Sequence, residues 1–215
     1  MIPAMDDRWP RKFERHLSFI AIPGLAAFIA GMHAIVGLLT QFKPEMPDQL
    51  RLVPELILHG QVWRCFTFIL IPPDYGPLGL FIWVLMIYAY LVRLEAYWGD
   101  FQFTFFCLIG TLATSAASLA TGYTLPATPF HMSLFLAFAR LNPEFEVLFF
   151  FFLPAKMKWL AGAFWFIILW DMIFGSAGDR IALLAGLANY FLFFGSSHWL
   201  ELKNLWRRSR YQGRF

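Results

Sequence analysis

Residues 78–121 read LGLFIWVLMIYAYLVRLEAYWGDFQFTFFCLIGTLATSAASLAT. Two apolar runs, 78–98 and 101–121, flank the short turn Trp98-Gly99-Asp100. As helices rising 1.5 Å per residue, each spans about 30 Å, the thickness of a bilayer's hydrocarbon. Only Arg93 and Glu95 bring charge into the first run, and the second carries none. Two antiparallel membrane spans joined by a tight turn therefore set the fold class.

Reading outward, residues 17–42 form a first span, 128–141 a shorter fourth, 159–175 a fifth and 181–198 a sixth. The 14 residues of 128–141 need burial by neighbouring helices or a thin stretch of bilayer. The expected fold is an all-α membrane protein, a six-transmembrane-helix bundle with an interfacial first loop. Within the mixed segment 43–76, Leu50, Val53, Leu56, Ile57 and Gly60 recur at helical spacing among Asp48, Arg51 and Glu55, as in an amphipathic helix lying in the interface. Phe145 to Leu153 reads as a loop or helix dipping into the interface, with Phe149 to Phe152 against lipid. Three units follow: a basic N-terminus (1–16), the membrane domain (17–198) and a basic C-terminus (199–215).

Composition agrees. Hydrophobic residues make up 59% of the chain and charged residues 14%, against about a quarter charged in soluble domains. Phe occurs 26 times, more than a water-soluble core of this size would use. The net charge of +3 gathers at the termini, so no nucleic-acid partner is implied. Cys65 and Cys107 do not suggest a disulfide, and no metal-ligand spacing or cofactor motif is present. No cleavage site follows the first apolar segment, which is expected to remain as an anchor.

With both termini cytoplasmic, thirteen basic residues fall inside: Arg8, Arg11, Lys12, Arg15, Arg93, Arg140, Lys156, Lys158, Lys203, Arg207, Arg208, Arg210 and Arg214. Four fall outside: Lys43, Arg51, Arg64 and Arg180. Six spans satisfy the positive-inside rule, and an odd number would put a basic terminus on the wrong side.

Three places resemble the rhomboid superfamily. Gly60-Gln61-Val62-Trp63-Arg64 matches the Trp-Arg pair in the long first loop of rhomboids and derlins. Leu94-Glu95-Ala96-Tyr97-Trp98-Gly99 is similar to the Leu-Glu and Trp-Gly turn that ends their second span. Ala182, Ala185 and Gly186, followed by Asn189-Tyr190-Phe191, resemble the small-residue pattern and Tyr-Phe of a derlin's last span. The resemblance covers roughly residues 55–198.

An active rhomboid carries its Ser in a Gly-x-Ser-Gly turn at the start of the fourth span and its His on the sixth. Aligned through 137–143, that turn falls on Pro126-Ala127-Thr128-Pro129, and the base falls on Leu183. Thr128 and Leu183 are thus degenerate positions. Proline replaces both glycines and has no N–H for an oxyanion, and a hydroxyl without a base is a poor nucleophile. The resemblance implies a pseudoprotease, with no catalytic residue. The alternative is a rhomboid-type intramembrane serine/threonine peptidase using Thr128 with His131, three residues apart on one helix face. A transporter is disfavoured, since no inverted repeat is visible.

Thr128, His131, Asp171 and Asn189 are candidate client-binding or cavity positions. The structural alternatives are an interfacial His131 bonded to water or backbone, a solvated Asp171, and an interhelical hydrogen bond from Asn189. Trp63 and Arg64 would anchor the first loop, Arg64 reaching lipid phosphate. Glu95 and Arg140 would clamp two helices as an ion pair. Trp98, Gly99, Ala182 and Gly186 are structural, the small residues allowing close helix approach, as do Gly110, Ala113, Thr114, Ala117, Ser118 and Thr121.

The function implied is derlin-like: binding transmembrane clients laterally, thinning the bilayer, and assisting membrane protein quality control or extraction. The partners implied are membrane lipids, transmembrane clients, and a membrane protease or AAA+ ATPase. The expected location is a bacterial plasma (inner) membrane, since Ser209 to Phe215 shows no extractor-binding signal of the eukaryotic derlin kind. The endoplasmic reticulum is the alternative.

Overall fold

The computed structural model describes residues 14, 17–149 and 153–212. Its helices are α1 (Leu25–Phe42), α2 (Pro54–Leu58), α3 (Arg64–Thr67), α4 (Gly76–Trp98), α5 (Asp100–Thr121) and α6 (Thr128–Leu141), then α7 (Met157–Phe174), α8 (Ala177–Gly186) and α9 (Ala188–Gln212). Between α6 and α7 stands an antiparallel hairpin, β1 (Glu146–Phe149) and β2 (Leu153–Lys156). The N-terminal basic residues through Lys12, with Arg15 and Arg214, lie outside the described residues, as do 150–152 of the Phe run.

Ser18–Phe42, α4, α5 and α7 are each long and apolar enough to cross a membrane, and α8 with α9 make a fifth, bent candidate. Phe28, Phe81, Phe166 and Trp170 stand exposed on these helices. In water each would leave about 2 kcal/mol of burial unrealised, a penalty that lipid removes. The protein is a helical, multi-pass membrane bundle.

α6 sits at its centre. Eleven of its 14 residues are buried, with α4, α5, α7, α8 and α9 around it. At about 21 Å it is shorter than the hydrocarbon, and neighbouring helices sheathe it as the sequence requires. α7 lies at the edge and buries only Met157 and Ile168.

Glycine sets two of the close approaches. A Cβ on Gly110 of α5 would lie 2.6 Å from Asn189 Nδ2 and 2.8 Å from the Phe130 ring. A Cβ on Gly186 of α8 would lie 2.6 Å from Pro129 Cβ and 2.9 Å from the Phe130 nitrogen. Ala182, one turn before Gly186, is buried beside it.

Three local expectations are corrected. Residues 181–198 do not form one straight helix: α8 and α9 meet at a bend of 64°. There Asn189 Oδ1 accepts from the Tyr190 nitrogen at 2.8 Å, satisfying a donor in the first turn of α9. The amphipathic pattern of 50–60 yields only the five residues of α2. Pro54 has no N–H to extend a helix backwards, and Gly60 turns the chain at φ +99°. In the described part of the apolar 145–153 stretch, residues 146–149 and Leu153 are strand and not helix, and the register sets Glu146 against Lys156.

At the foot of the hairpin, Glu144 accepts hydrogen bonds from Lys158 at 2.7 Å and Lys156 at 2.9 Å. These bonds, that to Lys158 first, pull its carboxyl down to about 2.

Gly110→Leu is expected to destabilise the protein by about 1–3 kcal/mol through overpacking. Gly162→Ala, whose added Cβ meets nothing within 4 Å, is expected to be neutral. Thermal unfolding in detergent checks both. The folded carboxyl of Glu144 titrates lower than the free one, so its clamp is intact above pH about 4.5 and is lost as pH falls toward about 2. Hydrogen exchange at the hairpin amides, followed from pH 5 to pH 2, is expected to lose protection over that range in the wild type, with no such loss in Glu144→Gln.

Candidate functional site

The loop 43–75 folds over one end of the bundle, here the loop end. Arg64 organises it from inside. It is 5% exposed, and it donates to Gln61 Oε1 at 2.7 Å, the Asp48 carbonyl at 2.7 Å and the Arg51 carbonyl at 2.9 Å. The expectation that Arg64 reaches lipid phosphate is therefore corrected: three turns of loop backbone and side chain use its charge. Trp63 beside it is exposed, as a headgroup-level anchor would be. Ser115 of α5 donates to the Cys65 carbonyl at 2.8 Å and pins the loop to the bundle.

Beneath the loop, at the start of α6, lies a cavity of about 290 Å³. Its lining includes Arg51, Phe68, Pro126, Ala127, Thr128 and His131. One turn inside α6, His131 is 3% exposed, so it is a core residue and not the interfacial one expected. Its Nε2 lies 2.9 Å from the Ile69 carbonyl and 3.2 Å from Nε2 of His33 on α1. The Nδ1 of His33 lies 2.8 Å from the Ile29 carbonyl.

Carbonyls only accept, which assigns the tautomers from the network. His33 carries its proton on Nδ1 and presents a lone pair at Nε2. His131 carries its proton on Nε2 and shares it between the Ile69 carbonyl and His33. Trp83 closes the cluster, its ring edge-on to His131 with centroids 5.7 Å apart.

No hydrogen bond joins Thr128 to either imidazole among the described residues, and the hydroxyl of Ser133 donates to the Phe130 carbonyl at 2.7 Å. Sequence reasoning had Thr128 and His131 facing each other, whereas the ring turns inward to α1. Leu183 is buried in α8 as an apolar core residue. His33 and Trp83 were missed. The available signal was a lone imidazole in an otherwise apolar span, which requires a partner.

Glu95 and Arg140 do not pair. Glu95 Oε1 accepts from the Ala26 nitrogen at 3.3 Å, so the carboxylate caps the start of α1. Gly24 there, at φ +72°, offers no side chain to do so. Arg140 donates instead to Glu201 of α9. Trp98 packs on Phe106 and Phe193, with ring centroids at 5.0 and 5.7 Å, and Gly99 turns the chain at φ +80° into α5. Asn189 is fully buried, and its Nδ2 donates to the Phe106 carbonyl at 3.3 Å. Asp171 lies half-buried in the last turn of α7, and its side chain is not part of the cavity beneath the loop.

The Trp-Arg loop anchor, the Glu95 cap and the Trp98-Gly99 turn are thus structural parts of one bundle. A model of the Der1-like family matches residues 22–204. The chain belongs to the Der1-like family. A search among curated proteins returns no match. The Der1-like region runs from just before α1 into the second half of α9, so it contains both the cavity beneath the loop and the polar contacts at the opposite, hairpin end.

His131→Leu should leave the Ile69 carbonyl without its donor and cost about 1–3 kcal/mol. His33→Leu removes the Nε2 acceptor and the Nδ1 donor to the Ile29 carbonyl, which still accepts within the ladder of α1, and is expected to cost less. In the double variant the two effects should fall short of additive, because the rings share one proton. Chemical unfolding of the purified single and double variants measures the coupling.

Proposed function

We propose that this Der1-like protein binds transmembrane segments of other membrane proteins from the side, thins the bilayer locally, and assists their quality control or extraction without cutting them. The observation that carries this reading is a largely apolar cavity, with Arg51, Thr128 and His131 as polar points in its wall, at the start of a helix only 14 residues long. A helix of about 21 Å cannot reach both faces of ~30 Å of hydrocarbon. We place Thr128 and the cavity it lines below the loop-end surface, at a depth where a polar client residue otherwise has no partner.

What supports silence in catalysis is the spent imidazole. His131 donates to a carbonyl and to His33, leaving Thr128 without a base among the described residues. Asn189 and Asp171 belong to the same proposal as secondary client contacts. The family membership fits a membrane protein client, a lipid environment and an ATP-driven extractor or membrane protease as partner. We place the protein in a bacterial plasma membrane or the endoplasmic reticulum. Its basic segments 1–16 and 199–215 are cytoplasmic, and its membrane domain is 17–198.

The test is a photo-crosslinking residue at position 128 in native membranes containing a single-span client with one polar residue in its span. The expected result is a crosslink that weakens when the polar residue is replaced by Leu, with the client intact. Client cleavage in liposomes by the purified protein, abolished in Thr128→Ala, would overturn the non-proteolytic reading in favour of a peptidase.

A further inference from the structure

The largest of the described cavities is at the hairpin end. It measures about 580 Å³, within the range of small-molecule sites. α6 forms its back wall through Leu136, Ala139 and Arg140. α7 contributes one stripe, Lys158, Ala161, Gly162 and Trp165, and α9 contributes Tyr190 and His198. Lys158 and Gly162 are exposed on α7, the bundle's edge helix, so the groove is open toward lipid.

The groove is polar at one end and apolar at the other. Arg140 stands in the last turn of α6 and Lys158 in the first turn of α7, which places both near the membrane surface. Trp165 lies seven residues, about 10 Å, further along α7 and packs on Tyr190 with ring centroids 5.7 Å apart. A charged head above an apolar slot is the shape of a lipid's headgroup and upper acyl chain.

The charges favour an anion. Arg140 and Lys158 line the groove, and Lys156 is bonded to its Glu144. The lining itself holds two of these cations, Arg140 and Lys158, and one carboxylate, Glu144. Around it, Lys156 faces Glu146 across the hairpin and Arg140 is paired with Glu201, so the excess of one positive charge is confined to the lining. The Nε–H of Arg140 is buried and has no acceptor among the described residues. Next to it, the Tyr190 hydroxyl and His198 Nε2 are 2.9 Å apart and add a neutral polar pair. Basic pockets between helices near the membrane surface hold lipid phosphates by this kind of pairing.

We propose that this groove binds a phosphate diester carrying one negative charge, presented by an anionic phospholipid whose acyl chain lies along Gly162 and Trp165. This goes beyond client binding at the loop end and does not depend on it. The lipid would wedge between α7 and α9, tying the edge helix to the bundle.

Native mass spectrometry of the full-length chain in neutral detergent, with equimolar phosphatidylglycerol and phosphatidylcholine, tests the assignment. Phosphatidylglycerol is expected to be retained about tenfold better, one molecule per chain. Lys158→Gln and Arg140→Gln should reduce it to the phosphatidylcholine level. Gly162→Leu should lower retention by filling the groove, since the position lines it and an added Cβ meets nothing within 4 Å. Circular dichroism verifies that each variant is folded; Lys158→Gln, on an exposed side chain, stands if Arg140→Gln is not. Equal retention of the two lipids, or full retention in folded Lys158→Gln and Gly162→Leu, overturns the proposal. Displacement by an equal concentration of glycerol phosphate keeps the anion site but overturns the lipid as its source.

Discussion

α6 is enclosed on every side, and the other helices take their positions from it. Fourteen residues cannot satisfy a membrane's thickness, so the helix is held by protein contacts and not by lipid. Gly186 lets α8 lie against its first turn, and Phe130 of α6 reaches the backbone of α5 at Gly110. His131 then links it to α1 and to the Ile69 carbonyl of the loop. Residues separated by 98 and 62 positions are joined through one ring nitrogen. Remove that centre and α1, the loop and α8 lose their common reference.

Hydrocarbon makes every charge a local problem, and most charges near this core are answered within the protein. Arg64 spends its donors on loop carbonyls and Gln61. Glu95 spends its carboxylate on the buried Ala26 amide in the first turn of α1. Arg140 reaches Glu201, and Asn189 bridges α9 to the backbone of α5. An unpaired charge would be worth avoiding even at the cost of a less regular backbone. This explains why the first loop carries so many polar residues and yet is ordered by one arginine.

The two ends of the bundle differ in consequence. At the loop end, an imidazole committed to structure stands under a cavity with a hydroxyl at its rim. At the hairpin end, cations are left in slight excess along an open groove beside the edge helix. The first arrangement suits receiving a polar group from a client, the second suits holding a lipid.

The sequence by itself determined four long apolar helices, the turn at Gly99 and several positions where helices touch. Apolar length, Gly99 and the small residues Gly110, Ala182 and Gly186 express local physics: hydrophobic thickness, backbone freedom and side-chain volume. It also determined that position 183 is apolar and that prolines flank Thr128. The tertiary structure alone decided which polar groups meet. Glu95 and Arg140 are complementary in charge, yet the nearest unsatisfied partner of Glu95 is an amide in α1 and that of Arg140 is a carboxylate in α9. His33, a lone imidazole in an apolar span, signalled that it needed a partner, but only folding identified that partner as His131 of α6. Hydrogen bonds act over about 3 Å, whereas the chain order of these residues leaves tens of ångströms undefined.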